Sequence, residues 1–309
     1  METNLREALA EIEVEGILAQ KNLELKMENN KGVIRGDMVI QIDEDRSVTF
    51  NVYVNQYKSD GKGGFTDEKN SIFEGMNTIL EEYKSIANDG IENADRIRVT
   101  KGSIRPSTFF DDKGMKHEKV KYQTNFFNRI NNEAEFEPKA KFDIELYISS
   151  IINEIGKDEN GEMTETGRVL VKGWLPTYNG IEPIQLVAPK EYGIAETILN
   201  DFEIGQTVNF YGDCMNTKKE WYEDIPVKVG KPRKKRHIEY KNELIIESAS
   251  DPYEEEGVKP AYKTEVINAA IADRELLLKE KAEKAVQKKT STNNSFNKPK
   301  ASGRTLPNF

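Results

Sequence analysis

A mainly β fold made of two similar halves is predicted by a strand pattern that the sequence contains twice. The first copy has alternating, glycine-marked segments at residues 12–18, 32–36, 47–54 and 96–102. The second copy has them at residues 142–148, 167–173, 183–187 and 207–212. In each copy a helical stretch follows the third strand, and strand, strand, strand, helix, strand, strand is the element order of an OB barrel. The sequence therefore predicts two tandem OB-fold barrels, each with a capping helix.

The elements of the first barrel are indicated by periodicity. Ser47–Val54 alternates cleanly, so one face packs the barrel and Tyr53 lies on the other face. In Ile72–Ile86 the apolar residues recur at helical spacing, which predicts the capping helix. The segment Ser107–Lys119 with its Asp-rich, Gly-containing turn predicts a projecting hairpin between the last two strands, here called the finger.

The domain boundaries follow from composition. Residues 131–140 are polar and contain Pro138, and a basic run, Lys231–Arg236, falls between the last two strands of the second barrel, whose short helix is predicted at Ile194–Phe202. The predicted units are a first OB-fold domain at residues 1–131, a second at 141–250, a linker and helix at 251–289, and a disordered tail at 290–309.

Composition argues against an enzyme, a metalloprotein and a membrane protein. Cys214 is the one cysteine, His117 and His237 are the two histidines, and none of them has zinc-ligand spacing. No phosphate-binding glycine loop is present, and no segment approaches the roughly 18 apolar residues of a membrane span. We therefore expect a cytoplasmic, non-catalytic protein without cofactor or metal.

The net charge of −9 argues against a polyanion partner at first, but the charge is unevenly distributed. Basic residues gather near 96–121, 228–241 and 279–304, and aromatic residues are interleaved with the first two of these groups. Binding of single-stranded nucleic acid requires cations for the phosphates and exposed rings on which bases stack.

The candidate binding residues are aromatic or basic side chains on outward strand positions and in the adjoining loops. In the first half they are Arg35, Tyr53, Tyr57, Phe65, Phe73, Arg96, Arg98, Lys101, Arg105, Phe109, Phe110, Lys113, Lys116 and Tyr122. In the second half they are Lys172, Trp174, Tyr178, Tyr211, Lys218, Trp221, Lys234 and Arg236. Two of the rings have an alternative interpretation, because Phe73 also fits the first buried residue of the capping helix and Trp174 also fits core packing.

The first half contains three motifs: the alternating Val48–Asn55, the strand Ile97–Ile104 and the aromatic, Asp-rich turn Phe109–Gly114. Through these motifs it resembles the bacterial single-stranded DNA-binding protein family over roughly residues 12–130. The resemblance implies an OB fold that binds single-stranded DNA. Two barrels in one chain are similar to archaeal, eukaryotic and some phage single-strand binders, which makes a phage origin one interpretation. The family's acidic tail ending in Pro-Phe is replaced here by Arg304–Phe309.

The resulting hypothesis is a protein that coats and protects single-stranded DNA during replication, recombination or repair by base stacking and phosphate neutralisation. Replication or recombination proteins are further expected partners, through the C-terminal helix and tail. Two alternatives stay open: an RNA-binding OB protein, and a protein-interaction scaffold of a replication complex.

Overall fold

The computed structural model describes residues 5–295 apart from 29, 30, 63, 112, 132 and 159, and for residues 218, 219 and 285–295 it describes the backbone alone. The strands of the first half are β1 (Ala10–Glu28), β2 (Lys31–Gln41), β3 (Ser47–Asn55), β4 (Tyr57–Ser59), β5 (Phe65–Lys69), β6 (Arg96–Phe110), β7 (Lys116–Gln123) and β8 (Asn128–Arg129). Those of the second half are β9 (Lys139–Lys157), β10 (Met163–Thr177), β11 (Gly180–Ala188), β12 (Thr207–Ile225) and β13 (Arg233–Ala249). The helices are α1 (Ser71–Glu82), α2 (Ile86–Asp89), α3 (Ile194–Asp201) and α4 (Thr264–Ser295). The predicted mainly β fold is confirmed.

The strands pair in the same cyclic order in both halves. In the first strand group β1 pairs with β2, β2 with β3, β3 in parallel with β7, β7 with β6, and β6 with β1. In the second strand group β9, β10, β11, β13 and β12 pair in the same sequence, again with one parallel step, between β11 and β13. The repeat in the sequence is therefore a repeat of strand pairing.

The two strand groups join edge to edge through their first strands. Ile12 of β1 lies opposite Phe142 of β9, and the flanking pairs are Ala10 with Ile144 and Val14 with Ala140. Ile12 and Phe142 occupy the same position in the two sequence copies, and their strands run antiparallel. The junction therefore has local two-fold character about this pair. Among the described residues, eleven strands thereby form one hydrogen-bonded sheet, and β4 and β5 form a separate hairpin.

Alternation places the apolar side chains of both groups inside. Phe50, Phe142 and Phe210 are among the largest fully buried side chains, and the core cluster runs through both groups. Gly102 of β6 packs where an added Cβ would lie 2.8 Å from Ile12 and from the Phe50 ring. The apolar burial of both groups is the main favourable contribution to folding.

The helices pack where the sequence periodicity indicated. In the predicted segment Ile72–Ile86 the structure has α1, which begins after the N-cap Asn70 and buries Met76 and Ile79. The segment Ile194–Phe202 contains α3. The C-terminal helix is longer than predicted, because α4 continues six residues past 289. The rest of the predicted tail, residues 296–309, lies outside the described residues.

The described part of α4 packs on both strand groups. Ile267 and Ala270 are buried, and so is the charged Arg274, which is 8% exposed. Arg274 donates to Thr108 of β6 and to Glu182 of β11, at 2.5 and 2.8 Å. The helix therefore bridges the finger base and the second strand group.

Candidate nucleic-acid interface

The outward face of β2 and β3 presents a ring beside a cation. Tyr53 is 48% exposed, while Val52 and Val54 on either side are buried. Its cross-strand neighbour is Arg35, whose guanidinium pairs with Glu24 and Glu28 at 3.2 and 2.9 Å. The outward position predicted for Tyr53 is therefore observed, and the charge of Arg35 is shared with two carboxylates.

A second ring and cation cluster lies at the end of the same strands. The ammonium of Lys31 is 5.2 Å from the Tyr57 ring centroid and 5.1 Å from that of Phe65. Phe65 is 40% exposed and Tyr57 is half-buried. Sequence reasoning found both rings but missed Lys31, because the contact exists only once the β4–β5 hairpin folds back over the start of β2.

Phe73 matches one of its two interpretations, whereas Tyr122 is placed differently from the prediction. Phe73 is half-buried on α1 and packs against the core, as its alternative interpretation required. Tyr122 is buried, with its hydroxyl 2.9 Å from the Cys214 sulfur and its ring edge-on to Phe50. Burial raises the pKa of Tyr122 well above its usual value. The prediction that Tyr122 stacks on a base is wrong, because β7 turns this ring inward against β12.

Two of the basic residues of β6, Arg98 and Arg105, are engaged in ion pairs. Arg98 pairs with the buried Glu15 at 2.7 Å, Arg105 pairs with Glu7 at 2.9 Å, and Arg96 lies 4.8 Å from the Phe136 ring. Burial raises the pKa of Glu15, but hydrogen bonds from Arg98 and from the Glu137 amide outweigh it and hold that pKa below its usual value. Arg98 is thus a partner for a buried charge, whereas Lys101 is exposed.

The finger carries an exposed ring at its tip. Phe109 is 45% exposed and stacks on His117, with centroids 5.3 Å apart and planes at 21°. Lys113 and Lys116 are exposed, and Lys116 lies 2.6 Å from Glu118. Phe110 is half-buried.

The candidate binding residues of the second strand group differ in how far they are exposed. Lys172 is exposed, Tyr178 is 86% exposed in the β10–β11 turn, and Tyr211 is 41% exposed with the Lys141 ammonium 6.0 Å from its centroid. Trp174 is half-buried because α4 covers it, with the Arg274 guanidinium 5.6 Å from its ring. Trp174 is therefore part of the packing of α4.

The basic run Lys231–Arg236 was predicted to lie between the last two strands of the second barrel, but β13 already begins at Arg233, and β12 and β13 continue as a long two-stranded ribbon. We call residues 217–241 the arm. Trp221 is 42% exposed, and Arg236 forms two bonds of 2.7 and 2.6 Å to Glu220. Lys234 is exposed opposite Asp224, and the side chain of Lys218 lies outside the described residues.

The geometry brings exposed rings and basic groups together at separate places on both strand groups. Such surfaces can stack planar bases and contact phosphates. Among the residues that the structure describes, no cluster of three or more His, Cys, Asp or Glu could hold a metal ion. Within the same described part, no helix is both long and apolar enough to cross a membrane.

Comparison with known proteins gives one family and several solved structures. The sequence model of the YorF family matches residues 9–284. No curated protein matches the sequence. The wild-type single-stranded DNA-binding protein from Thermus aquaticus is similar with a TM-score of 0.45 and 12% identity, over 82% of this chain and 98% of that one. A deletion mutant of the same protein gives a TM-score of 0.43 at 13% identity, over 82% and 100%. A replication protein A heterotrimer bound to single-stranded DNA gives 0.22 at 10% identity, over 91% and 71%.

Proposed function

We propose that this chain, which belongs to the YorF family, binds single-stranded DNA through two OB-fold barrels and does so without catalysis. The cyclic pairing of five strands in each group, with one parallel step, supports the OB assignment. In that fold the face of strands 2 and 3 and the neighbouring loops bind oligonucleotides. The proposed domains are residues 1–131 and 141–250, joined through β1 and β9.

The observation that carries the proposal is the outward face of β2 and β3. Tyr53 lies opposite Arg35, and the Tyr57, Lys31 and Phe65 cluster lies about four residues further along β2, or about 14 Å at 3.4 Å per residue. Exposed rings beside cations offer a base a flat surface for stacking and a phosphate a positive charge close by. Stacking on such rings contributes about 1 to 3 kcal/mol per base and tolerates any sequence.

The scaffold alternative is favoured by a different observation. Arg35, Arg98, Arg105 and Arg236 all form ion pairs within the chain, so part of the predicted positive charge is already compensated. A protein-interaction scaffold would need no stacking surface. The same experiment separates the two functions.

The test is binding of a fluorescent oligothymidylate to the full chain, followed by anisotropy. Tyr53→Leu should raise Kd about 5- to 150-fold, which corresponds to 1 to 3 kcal/mol of lost stacking. Tyr53→Phe keeps the ring and is the matched control, so its Kd should stay near that of the parent. Unchanged Kd in Tyr53→Leu would remove the stacking role, and absence of binding by the parent would favour the scaffold.

Two further measurements define the ligand. If the protein neutralises phosphates, the logarithm of the binding constant should fall against the logarithm of the salt concentration, with a slope of about 0.7 per phosphate contacted. A binding constant that does not change with salt would contradict the mechanism. Oligoribonucleotides of the same sequence test the RNA alternative, because ribose 2′-hydroxyls distinguish the two ligands. The same proposal includes two roles. The protein coats DNA in replication, recombination or repair, and α4 and the tail recruit partner proteins.

A further inference from the structure

The finger and the arm contain the same side-chain arrangement. In the finger, Phe109 of β6 lies directly opposite His117 of β7, and the two rings stack at 5.3 Å with planes at 21°. The Nε2 atom of His117 is 3.1 Å from Oδ2 of Asp111. Hydrogen bonds from His117 and from the Met115 amide lower the pKa of Asp111, so its carboxylate is ionised near neutral pH.

The arm repeats this arrangement in the second strand group. Trp221 of β12 lies directly opposite His237 of β13, and their rings stack at 5.3 Å with planes at 10°. The Nε2 atom of His237 is 2.7 Å from Oε2 of Glu223. The two histidines of the chain thus occupy corresponding hairpins, each between an aromatic ring and a carboxylate.

Cross-strand stacking alone would stabilise a ribbon, typically by a few tenths to 1 kcal/mol. Two features go beyond that role. Phe109 and Trp221 keep 45% and 42% of their surface exposed although each already has a stacking partner. Each imidazole is also fixed by a carboxylate, so the orientation of the aromatic ring is set before any ligand arrives, which lowers the entropic cost of binding a planar group.

We propose that the pairs Phe109–His117 and Trp221–His237 are two platforms for unpaired nucleobases, one on each strand group. Phe109 and Trp221 provide the surface on which a base stacks, and the histidines are positioning residues for these rings. This inference rests on the proposed function and names the place on each hairpin where a base is held.

Trp221 makes the arm platform directly observable. The chain has two tryptophans, so Trp174→Phe leaves Trp221 as the one tryptophan, whose emission can be excited selectively over that of the tyrosines. In this parent variant, addition of oligothymidylate should quench the Trp221 emission as a base stacks on the ring. His237→Phe keeps a flat partner and should retain the quenching, whereas His237→Gln keeps a polar group without the plane. We expect His237→Gln to weaken binding about five- to tenfold and to reduce the quenching.

Ile238 offers a matched control, because it is 40% exposed on the opposite face of the same strand. Ile238→Gln should leave both the quenching and Kd unchanged. If His237→Gln opens the arm, seen as a change in the circular dichroism spectrum, then His117→Gln supplies the independent test in the finger, with an expected loss of similar size.

The outcomes separate the two levels of proposal. If the unmodified chain binds no oligonucleotide, the proposed function fails and the platforms fail with it. If the parent binds but Trp221 emission does not change, or if His237→Gln and His237→Phe behave alike, the proposed function stands and the platform inference is overturned.

Discussion

Arg274 should contribute strongly to the stability of the fold, because this buried charged residue connects α4 to both strand groups. Its guanidinium donates to Thr108 and Glu182 and lies over the Trp174 ring. We predict that Arg274→Met destabilises the fold, since methionine keeps an unbranched apolar stem but makes none of these polar contacts.

The expected size follows from these contacts. A hydrogen bond to a charged group contributes about 1.5 to 3 kcal/mol, and a cation over an aromatic ring adds about 0.5 to 1 kcal/mol. Glu182 keeps 23% of its side chain exposed, so water compensates part of its lost partner. We therefore expect a net loss of about 2 to 3 kcal/mol in the free energy of unfolding.

Urea unfolding, followed by tryptophan fluorescence and circular dichroism, measures this loss in the transition that exposes Trp174. The matched control is Lys284→Met, because Lys284 pairs with Glu280 at 3.6 Å on an exposed part of α4. That variant should stay within about 0.5 kcal/mol of the parent. An Arg274→Met midpoint equal to that of Lys284→Met would refute the role of Arg274 as a bridge.

Three other positions give contrasting outcomes. Gly75→Ala should raise the free energy of unfolding by about 0.5 to 1 kcal/mol, because its added Cβ meets no atom within 4 Å in the α1 interior. Gly212→Ala should lower it by about 1 to 3 kcal/mol, since its Cβ would lie 1.9 Å from the Ile245 carbonyl oxygen; equal free energies of unfolding in the two variants would contradict both. Burial raises the pKa of the Cys214 thiol to about 12, so a disulfide reagent at pH 8 should label it only after unfolding. In the unfolded chain a cysteine thiol ionises near pH 8.5, so the free energy of unfolding should fall as pH rises from there toward the pKa of the folded protein. Cys214→Ala should show a smaller fall. A parent no more sensitive to pH than this variant would speak against the explanation.

The part of the fold that the sequence could predict is the part that local periodicity determines. Val52 and Val54 identify the buried face of β3, so the outward position of Tyr53 follows without any knowledge of the partner strand. The repeat of strand spacing likewise indicates two similar halves. These signals are contained within a single element or within the element order.

The errors arise where elements far apart in the sequence contact each other. The alternation of Tyr122 with cations in β7 predicts a stacking residue, but the structure places the Tyr122 hydroxyl against Cys214 of the second strand group. The contact between Trp174 and Arg274 spans a hundred residues of sequence. The pairings of His117 and His237 depend on hairpin register, which neither composition nor periodicity specifies.

The antiparallel joint of Ile12 and Phe142 has a consequence for how the two surfaces can differ. In a dimer of identical subunits joined in this way, a substitution in the gene changes the surface of both subunits. Here both copies are parts of one polypeptide, so dilution does not separate them and each is free to diverge. Arg35 faces Tyr53 on one copy, whereas Lys172 faces Gln185 at the corresponding place on the other. The two outward faces therefore carry different side chains, in an order that the chain itself fixes.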